Sequence, residues 1–336
     1  MLDLATLEKI DQCKMYEVYD KWPDIASEAY RSTNEQIELA GIDHVVFAGM
    51  GGSGAIGDIF AAILSKSKFH VSIVKGYLLP KTVDSNTLIV TTSISGNTKE
   101  TLTVLDSAKK MNSKIMAFSS GGKMYDYCIK NQIPHLKILQ MHSPRASFTA
   151  FLYSMLKTLN SLVPLEKNDI DESIMHLNQL KKLVSSSNLS DRNPALELAA
   201  WIKGIPMIYY PWGLQAAATR FKNSLQENGK VHVMMEDVVE ACHNGIVAWE
   251  RESSVQPILL EGVDDYTKTK ERWQIIKEYF KEKNIEYKEI FSVKGNILSK
   301  LIGLIYLLDY ASIYYAVMNK TDPSPIESID FVKNRL

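Results

Sequence analysis

Two loops of the sequence carry the residue types that bind phosphate groups in proteins. Residues 49–54 (GMGGSG) follow a short apolar run and precede a predicted helix, and residues 93–98 (SISGNT) stand in the same kind of place. Hydroxyl groups and free backbone N–H groups at a helix N-terminus make a site for a phosphate dianion. The two loops therefore predict phosphate binding, and its candidate hydroxyls are Ser53, Ser93, Ser95 and Thr98.

Two other interpretations of these loops need to be weighed. Residues 49–54 also fit the G-x-G-x-x-G pattern of dinucleotide-binding folds, which expects an acidic residue at the end of the second strand. The sequence there is Val74-Lys75-Gly76, which argues against NAD. Serine and threonine also cap many helices. Three hydroxyls around Gly96 exceed what one helix cap needs.

Alternating strands and helices must position both loops. Short apolar runs predict strands, and helical patterns separate them. Residues 3–40 read as helical with a break at Trp22-Pro23. The strands predicted after them are 44–48, 70–74, 87–91, 114–118 and 135–139, with helices at about 54–65, 99–111 and 124–130. This alternation is typical of a parallel sheet covered on both faces.

The same alternation resumes after a polar helical stretch at 165–187. Strands are predicted at 207–210, 232–235, 257–260 and 288–291, and helices at 214–226, 267–281 and 296–318. We expect an α/β fold of two doubly wound parallel-sheet lobes with flanking helices. The expected division is 1–160 for the N-terminal helices and first lobe, 161–190 for a connecting helix, and 191–336 for the second lobe with a C-terminal tail.

Composition argues against several classes of protein. The 38 basic and 39 acidic residues are mixed, without the clustered basic face that nucleic-acid binding needs. Cys13, Cys128 and Cys242 are odd in number and scattered, so a disulfide framework or zinc site is not expected, and free thiols suit the cytoplasm. No signal peptide or membrane span is expected, and the apolar region 301–318 contains Asp309 and predicts a buried helix.

Several further motifs occur in an order that resembles one family. They are Pro144-Arg145-Ala146, Glu227-Asn228-Gly229-Lys230, His243-Asn244, and Asp322-Pro323-Ser324-Pro325 followed by Lys333. The two loops are similar to those of the sugar isomerase (SIS) domain, and the ordered set resembles the bifunctional phosphoglucose/phosphomannose isomerase family over nearly the whole chain. The resemblance implies that the chain interconverts fructose 6-phosphate with glucose 6-phosphate, and with mannose 6-phosphate, through an enediol. It implies no cofactor.

The resemblance also implies a role for each reacting group. Glu227 matches the family's base, which removes the proton beside the carbonyl. His243 matches the residue that assists ring opening, and the charge of Arg145 would stabilise the enediolate. The expected substrate-binding residues are Gly51, Gly52 and Ser53 in the first loop, Ser93, Ser95 and Thr98 in the second, and Lys333 in a docked tail. The family is dimeric, so we expect a homodimer in which His243 completes the partner's site.

The residues themselves leave plainer alternatives open. Glu227 opens a loop after the predicted helix 214–226 and reads as a solvated acid, and His243 reads as a structural histidine. Arg145 reads as a surface residue or a structural ion pair. Cys242 beside His243 suggests a nucleophile pair, but no acyl-transfer signature accompanies it. The seven histidines show no H-x-H or H-E-x-x-H spacing, so no metal site is expected.

Two departures from the family and two rival functions remain. Gly245 stands where the family often has an acid, and Ile94 where it often has an aromatic residue, which leaves the preferred sugar open. The chain could isomerise another sugar phosphate, for example in polysaccharide synthesis. It could also bind a sugar phosphate without reacting, since a fold alone does not prove catalysis.

Overall fold

A computed structural model describes residues 2–33 and 39–335 of the chain. The residues group into two compact units, one of residues 21–174 and one of residues 1–20 with 175–336. The helices are α1 (Leu4–Ile10), α2 (Met15–Asp20), α3 (Trp22–Ser32), α4 (Gly51–Leu64), α5 (Lys99–Lys110), α6 (Gly122–Asn131), α7 (Phe148–Thr158), α8 (Lys167–Val184), α9 (Pro194–Trp201), α10 (Gln215–Gly229), α11 (Val238–Ala241), α12 (Thr267–Glu282), α13 (Ile297–Met318) and α14 (Glu327–Lys333). The strands are β1 (His44–Ala48), β2 (His70–Val74), β3 (Thr87–Ser93), β4 (Lys114–Ser119), β5 (His135–Lys137), β6 (Ile205–Tyr210), β7 (Met234–Asp237), β8 (Val255–Glu261) and β9 (Lys288–Phe291).

The first unit, residues 21–174, is built on a parallel sheet in the order β2-β1-β3-β4-β5. Every residue of β1 and β3 is buried, which explains why both strands read as continuous apolar runs. The chain passes from β1 to β2 on one side and then to β3 on the other. The carboxyl ends of β1 and β3 therefore flank the topological switch point, where ligands bind in open α/β sheets.

The second unit, residues 1–20 with 175–336, has a parallel sheet in the order β7-β6-β8-β9. Two parallel sheets confirm the predicted fold class. Helix α13 is long and apolar enough to span a membrane, but 89% of its most apolar window is buried inside the protein. It is a core helix, as predicted for residues 301–318.

A buried carboxylate lies near the middle of α13. Asp309 is fully buried, and its Oδ2 accepts a 2.7 Å ion-paired hydrogen bond from Nη2 of Arg220 on α10. Burial is the largest effect on the pKa of Arg220 and lowers it, but the charge and hydrogen bonds of Asp309, together with Tyr19 and Glu227, outweigh burial, and that pKa is raised. Ser224 Oγ donates to Asp309 Oδ1 at 2.6 Å, and the Tyr19 hydroxyl donates to Oδ2 at 3.2 Å. The network ties α2, α10 and α13 into one core.

The N-terminal segment belongs to a different unit from the one that the sequence suggested. Residues up to Asp20 were expected with the first lobe, but they group with residues 175–336. Besides the Tyr19–Asp309 bond, the Tyr306 hydroxyl donates to the Tyr19 carbonyl at 2.9 Å, and Tyr310 donates to Asp20. These bonds explain the grouping. The part of the predicted helix 3–40 at residues 34–38 lies outside the described residues.

We predict that Asp309→Asn destabilises the protein strongly. The amide keeps the shape of the carboxylate but leaves the Arg220 charge buried without its counter-charge, which costs about 3–5 kcal/mol. Urea unfolding followed by circular dichroism measures the loss. The control is Asp191→Asn, an exposed aspartate whose replacement is expected to change stability by less than about 0.5 kcal/mol. A loss below ~1 kcal/mol in Asp309→Asn would contradict a structural role for the ion pair.

Candidate active site

The first loop joins β1 to α4 by a tight turn. Gly51 has a φ of +53°, in the left-handed region where a side chain is disfavoured, and it begins the helix. The N-cap residue Met50 forms no side-chain cap hydrogen bond. Ser53 lies in the first turn of α4 and is buried. The predicted glycine loop is therefore a strand-to-helix turn with a hydroxyl just inside it.

The second loop joins β3 to α5 and contacts the first through Ser53. The backbone N–H of Ile94 donates to Ser53 Oγ at 3.2 Å. Within the loop, Ser93 Oγ donates to Thr98 Oγ1 at 2.9 Å. Three of the four predicted phosphate-binding hydroxyls therefore lie together at the switch point of the sheet. The fourth, Ser95, accepts a hydrogen bond from the Asn97 N–H at 3.3 Å.

Helix capping does not explain the hydroxyl group of Thr98. This residue is the N-cap of α5, yet its side chain makes no cap hydrogen bond to the helix. Its oxygen receives the hydrogen bond of Ser93 instead. The N-terminal turn of a 12-residue helix thus lacks a capping oxygen from its own N-cap residue. An anion at this place would meet both backbone N–H groups and hydroxyls.

The end of β2 does not suit a dinucleotide. Lys75 follows the strand, and its Nζ forms a 2.6 Å ion pair with Oδ2 of Asp58 on α4. Burial raises the pKa of Asp58, and the Lys75 charge acts in the opposite direction. A ribose diol would need a carboxylate acceptor at this strand end, where the chain has a lysine already paired to an acid.

Glu227 lies inside a helix and not in a loop, so that part of the sequence prediction is wrong. Helix α10 continues to Gly229, because the residues that looked like a helix end have partners in α13. Asn228 Nδ2 donates to Ser312 Oγ at 2.8 Å, and a Cβ at Gly229 would lie 2.7 Å from the Tyr315 ring. Glu227 is half-buried in the last turn of α10.

Lys230 closes this helix and fastens it to a distant segment. It has a φ of +55° at the C-cap, and its Nζ donates to the Glu227 carbonyl and, at 2.8 Å, to the Pro325 carbonyl. The predicted motifs Glu-Asn-Gly-Lys and Asp-Pro-Ser-Pro are therefore in direct contact. The contact holds the backbone of Glu227 in a defined position.

His243 is exposed just after the short helix α11. The backbone N–H of His243 donates to the Glu240 carbonyl at 2.8 Å, and Asn244 Nδ2 donates to Glu240 Oε1 at 3.0 Å. Cys242 is half-buried and packs against the core cluster that contains Tyr209 and Trp249, a packing role that needs no Cys–His chemistry.

Gly245, one of the departures from the family pattern, lies against a carboxylate from another element. A Cβ at Gly245 would be 2.3 Å from Glu236 Oε2, at the carboxyl end of β7. Burial raises the pKa of Glu236, and the charges of Glu240 and Asp237 raise it further. A larger residue at position 245 would therefore displace the Glu236 carboxylate, which is the flexible end of that side chain.

Arg145 and Lys333 lie in contrasting environments. Arg145 is 4% exposed in the first unit, so it is not a surface residue, and the adjacent Ala146 carbonyl accepts the Trp22 indole N–H at 2.9 Å. Lys333 is exposed at the end of α14, a helix in which no residue is buried. The expected docking of the tail is thus not seen within its own unit.

The predicted site residues divide between the two units. Those in residues 21–174 are Gly51, Gly52, Ser53, Ser93, Ser95, Thr98 and Arg145, and those in the other unit are Glu227, His243 and Lys333. The roles of the residues in both groups stay predictions. Over residues 2–33 and 39–335, no group of three or more His, Cys, Asp or Glu side chains is arranged to hold a metal ion.

One participating segment was missed in the sequence. Residues 119–124 (SSGGKM) lead from the end of β4 into the first turn of α6, and they contact the second loop, residues 93–98, here called the phosphate loop. The Met124 N–H donates to the Gly96 carbonyl at 2.9 Å, and the Ser120 N–H donates to the Ile94 carbonyl at 3.0 Å. Its signal was the glycine pair at a strand-to-helix turn, which resembles the first loop in composition.

Comparisons with known proteins agree with this geometry. The SIS domain model matches residues 38–162, and the model of the bacterial phospho-glucose isomerase C-terminal SIS domain matches residues 191–336. A hypothetical protein from Thermus thermophilus has the same fold, with a TM-score of 0.74 and 14% identity over 98% of this chain and 91% of that one.

Two relatives carry the same family name. A bifunctional phosphoglucose/phosphomannose isomerase from Caldicellulosiruptor bescii is 31% identical, with 96% of this chain and 98% of the relative covered. Another from Thermoplasma acidophilum is 27% identical, with 92% and 97% covered. The chain belongs to the bifunctional phosphoglucose/phosphomannose isomerase family.

Proposed function

We propose that this protein interconverts fructose 6-phosphate with glucose 6-phosphate and mannose 6-phosphate by a metal-free enediol mechanism. The proposal rests on family membership and on one structural observation, the joining of Ser53, Ser93 and Thr98 across two loops. A hydroxyl cluster at a helix N-terminus and a sheet switch point suits the 6-phosphate of a hexose. The substrate's phosphate anchors there, and the remote C1–C2 end is presented to the reacting groups.

The reaction moves a hydrogen between C1 and C2 of the open-chain sugar. His243 passes a proton between the ring oxygen and the anomeric hydroxyl, which opens the ring. The Glu227 carboxylate removes the proton from C2 of the aldose or C1 of the ketose, a proton passes between the oxygens of C1 and C2 in the enediol, and Glu227 returns its proton to the neighbouring carbon. The enediol between these steps has a flat C2. Return of the proton to one face of C2 gives glucose 6-phosphate. Rotation of the enediol about the C2–C3 bond turns the other face toward Glu227, and return of the proton there gives mannose 6-phosphate.

Arg145 supplies the positive charge that this mechanism needs. Negative charge develops on the oxygens of C1 and C2 as the proton leaves, and a fixed, water-shielded cation stabilises it most effectively. The burial of Arg145, in the unit that holds the phosphate loop, supports this role. Lys333 completes the pocket once the tail is docked.

The proposed enzyme is a cytoplasmic homodimer with shared active sites. His243 is exposed, which is compatible with its reaching the site of a second subunit. In this arrangement each site takes Glu227 from one protomer and His243 from the other. In a two-fold dimer both sites are equivalent.

We predict that fructose 6-phosphate is isomerised to both aldoses after exhaustive treatment with a chelator. NMR of the products measures glucose 6-phosphate and mannose 6-phosphate separately, and a wider panel of sugar phosphates reveals another preferred substrate. Activity that disappears on chelation and returns with Zn²⁺ would contradict the metal-free mechanism. Binding without turnover of any sugar phosphate would indicate a sensor instead of an enzyme.

We predict that Ser95→Ala combined with Thr98→Ala weakens substrate binding much more than it slows chemistry. Each lost hydrogen bond to a charged group costs about 1.5–3 kcal/mol, so KM should rise by at least tenfold (about 1.4 kcal/mol). The control is Thr103→Ala on the same helix, whose hydroxyl bonds only the Lys99 carbonyl at 2.9 Å among the hydrogen bonds of the described residues. A Kd for 6-phosphogluconate that is unchanged in calorimetry would move the phosphate site elsewhere.

We predict that Glu227→Gln and His243→Ala complement each other in mixed dimers. Glu227→Gln keeps the side-chain shape but cannot accept the proton, so kcat should fall by about 10²-fold or more. If His243 acts in the neighbouring subunit, each mixed dimer has one intact site. Equal amounts then restore about a quarter of wild-type activity, because random exchange makes half the dimers mixed.

The substrate for this experiment must be one whose ring opening limits the rate, so that His243→Ala alone is slow. Native mass spectrometry confirms that the subunits have exchanged. Mixed dimers without recovered activity would show that His243 acts within its own chain. A Glu227→Gln variant within a few-fold of wild type would show that Glu227 is not the base.

A further inference from the structure

The phosphate loop, residues 93–98, is held against the segment that follows β4 by contacts that do not involve the hydroxyls of the phosphate loop. This segment, here called the β4–α6 loop, comprises residues 119–124, from the last residue of β4 to the first turn of α6. Two main-chain hydrogen bonds join the loops, from the Ser120 N–H to the Ile94 carbonyl at 3.0 Å and from the Met124 N–H to the Gly96 carbonyl at 2.9 Å. The shape of the phosphate loop therefore depends on its neighbour.

Glycine allows the two backbones to come this close. Gly96 has a φ of +71°, and a Cβ added there would lie only 1.8 Å from the Gly121 carbonyl oxygen. On the opposite side, a Cβ added to Gly122 would lie 2.8 Å from both Asn97 Oδ1 and the Ser95 carbonyl oxygen. The space between the loops is filled by the Asn97 amide.

The Asn97 side chain bonds both loops at once. Its Oδ1 accepts a hydrogen bond from the Lys123 N–H at 3.1 Å, and its Nδ2 donates to the Ser95 carbonyl at 3.1 Å. Lys123 lies in the first turn of α6, so Asn97 occupies an N–H group at that helix end. The N-cap of α5, in contrast, gives its helix no side-chain hydrogen bond.

We propose that Asn97 is a positioning residue that holds Ser95 and Thr98 in the geometry that binds the substrate's phosphate. This inference rests on the proposed function, because the ligand concerned is the phosphate group of the substrate of that reaction. Asn97 flanks the hydroxyls in sequence and is exposed, so it adds little to the core. Its amide sets the distance between two loops that would otherwise be joined by main-chain bonds alone.

The test is Asn97→Ala, compared with Asn131→Ala as a matched control. Asn131 lies at the other end of α6 and also uses its amide twice, donating to the Tyr127 carbonyl at 2.8 Å and accepting from Lys109. Both variants lose two side-chain hydrogen bonds, but only one of them touches the phosphate loop. Gly122→Ala provides a second perturbation of the same contact, because its methyl group would push both Asn97 Oδ1 and the Ser95 carbonyl oxygen.

We expect KM for fructose 6-phosphate and Kd for 6-phosphogluconate to rise about tenfold in Asn97→Ala, the effect of one or two lost hydrogen bonds, with kcat within about twofold of wild type. Gly122→Ala should show the same split, and Asn131→Ala should match wild type in both constants. The melting temperature of Asn97→Ala should equal that of Asn131→Ala. Faster hydrogen exchange of the Lys123 amide should accompany the loss of affinity.

Several results would overturn the proposal. An unchanged Kd in Asn97→Ala would do so, and so would an equal loss of affinity in Asn131→Ala, which would mark a general effect on α6. A fall in kcat without a change in KM would place the effect on chemistry. Calorimetry separates the two hypotheses: wild type that binds 6-phosphogluconate but isomerises nothing refutes the proposed function alone, whereas wild type that does not bind it refutes both.

Discussion

A charge buried in the middle of an apolar helix determines the arrangement of the unit that carries Glu227. Taking a carboxylate such as Asp309 out of water costs several kcal/mol unless partners compensate it. Those partners come from α10 and α2. If either helix shifted along α13, Asp309 would lose partners and its burial would no longer be compensated. The ion pair is therefore a constraint on the position of three helices as well as a contribution to stability.

The same constraint sets the rotation of α10. Arg220, Ser224 and Asn228 recur every four residues, so they lie on one face, and all three bond to α13. Glu227 precedes Asn228 by one residue, a turn of about 100° around the helix axis. That offset takes Glu227 off the buried face and leaves it half-exposed. A structural ion pair two helical turns away thus fixes the direction of the proposed catalytic base.

The unit of residues 21–174, in which the phosphate site is predicted, is organised differently, by main-chain hydrogen bonds and close backbone contacts. The loops after β1, β3 and β4 lie at the carboxyl edge of one parallel sheet, where successive strands necessarily bring them together. Their hydroxyls bond one another and the neighbouring backbone, so the anion site requires no charged side chain to keep its shape. Glycine at the points of closest approach allows the backbones of these loops to come into contact.

The sequence predicted the parts of the site that depend on local pattern. Apolar runs followed by glycine and hydroxyl residues indicated the positions of both predicted phosphate loops, because short buried strands end where apolar residues stop. The end of α10 was misplaced, since Asn228 and Gly229 usually stop a helix, and only their contacts with Ser312 and Tyr315 explain why this one continues. The Asn97 bond to Lys123 joins residues 26 apart, and no periodicity indicates such a pair.

The bond between Tyr19 and Asp309 joins residues 290 apart, and this has a consequence for the order of folding. Residues 21–174 are contiguous and can complete their sheet while the rest of the chain is still being made. The N-terminal helices cannot, because at about 5–20 residues per second their partner emerges roughly 15–60 s later. Closing a loop of that length costs only about 0.6 kcal/mol more than closing a loop half as long. Helices α1 and α2 leave the ribosome well before α13 and therefore pack late, and a chain that stops before α13 leaves them without a core.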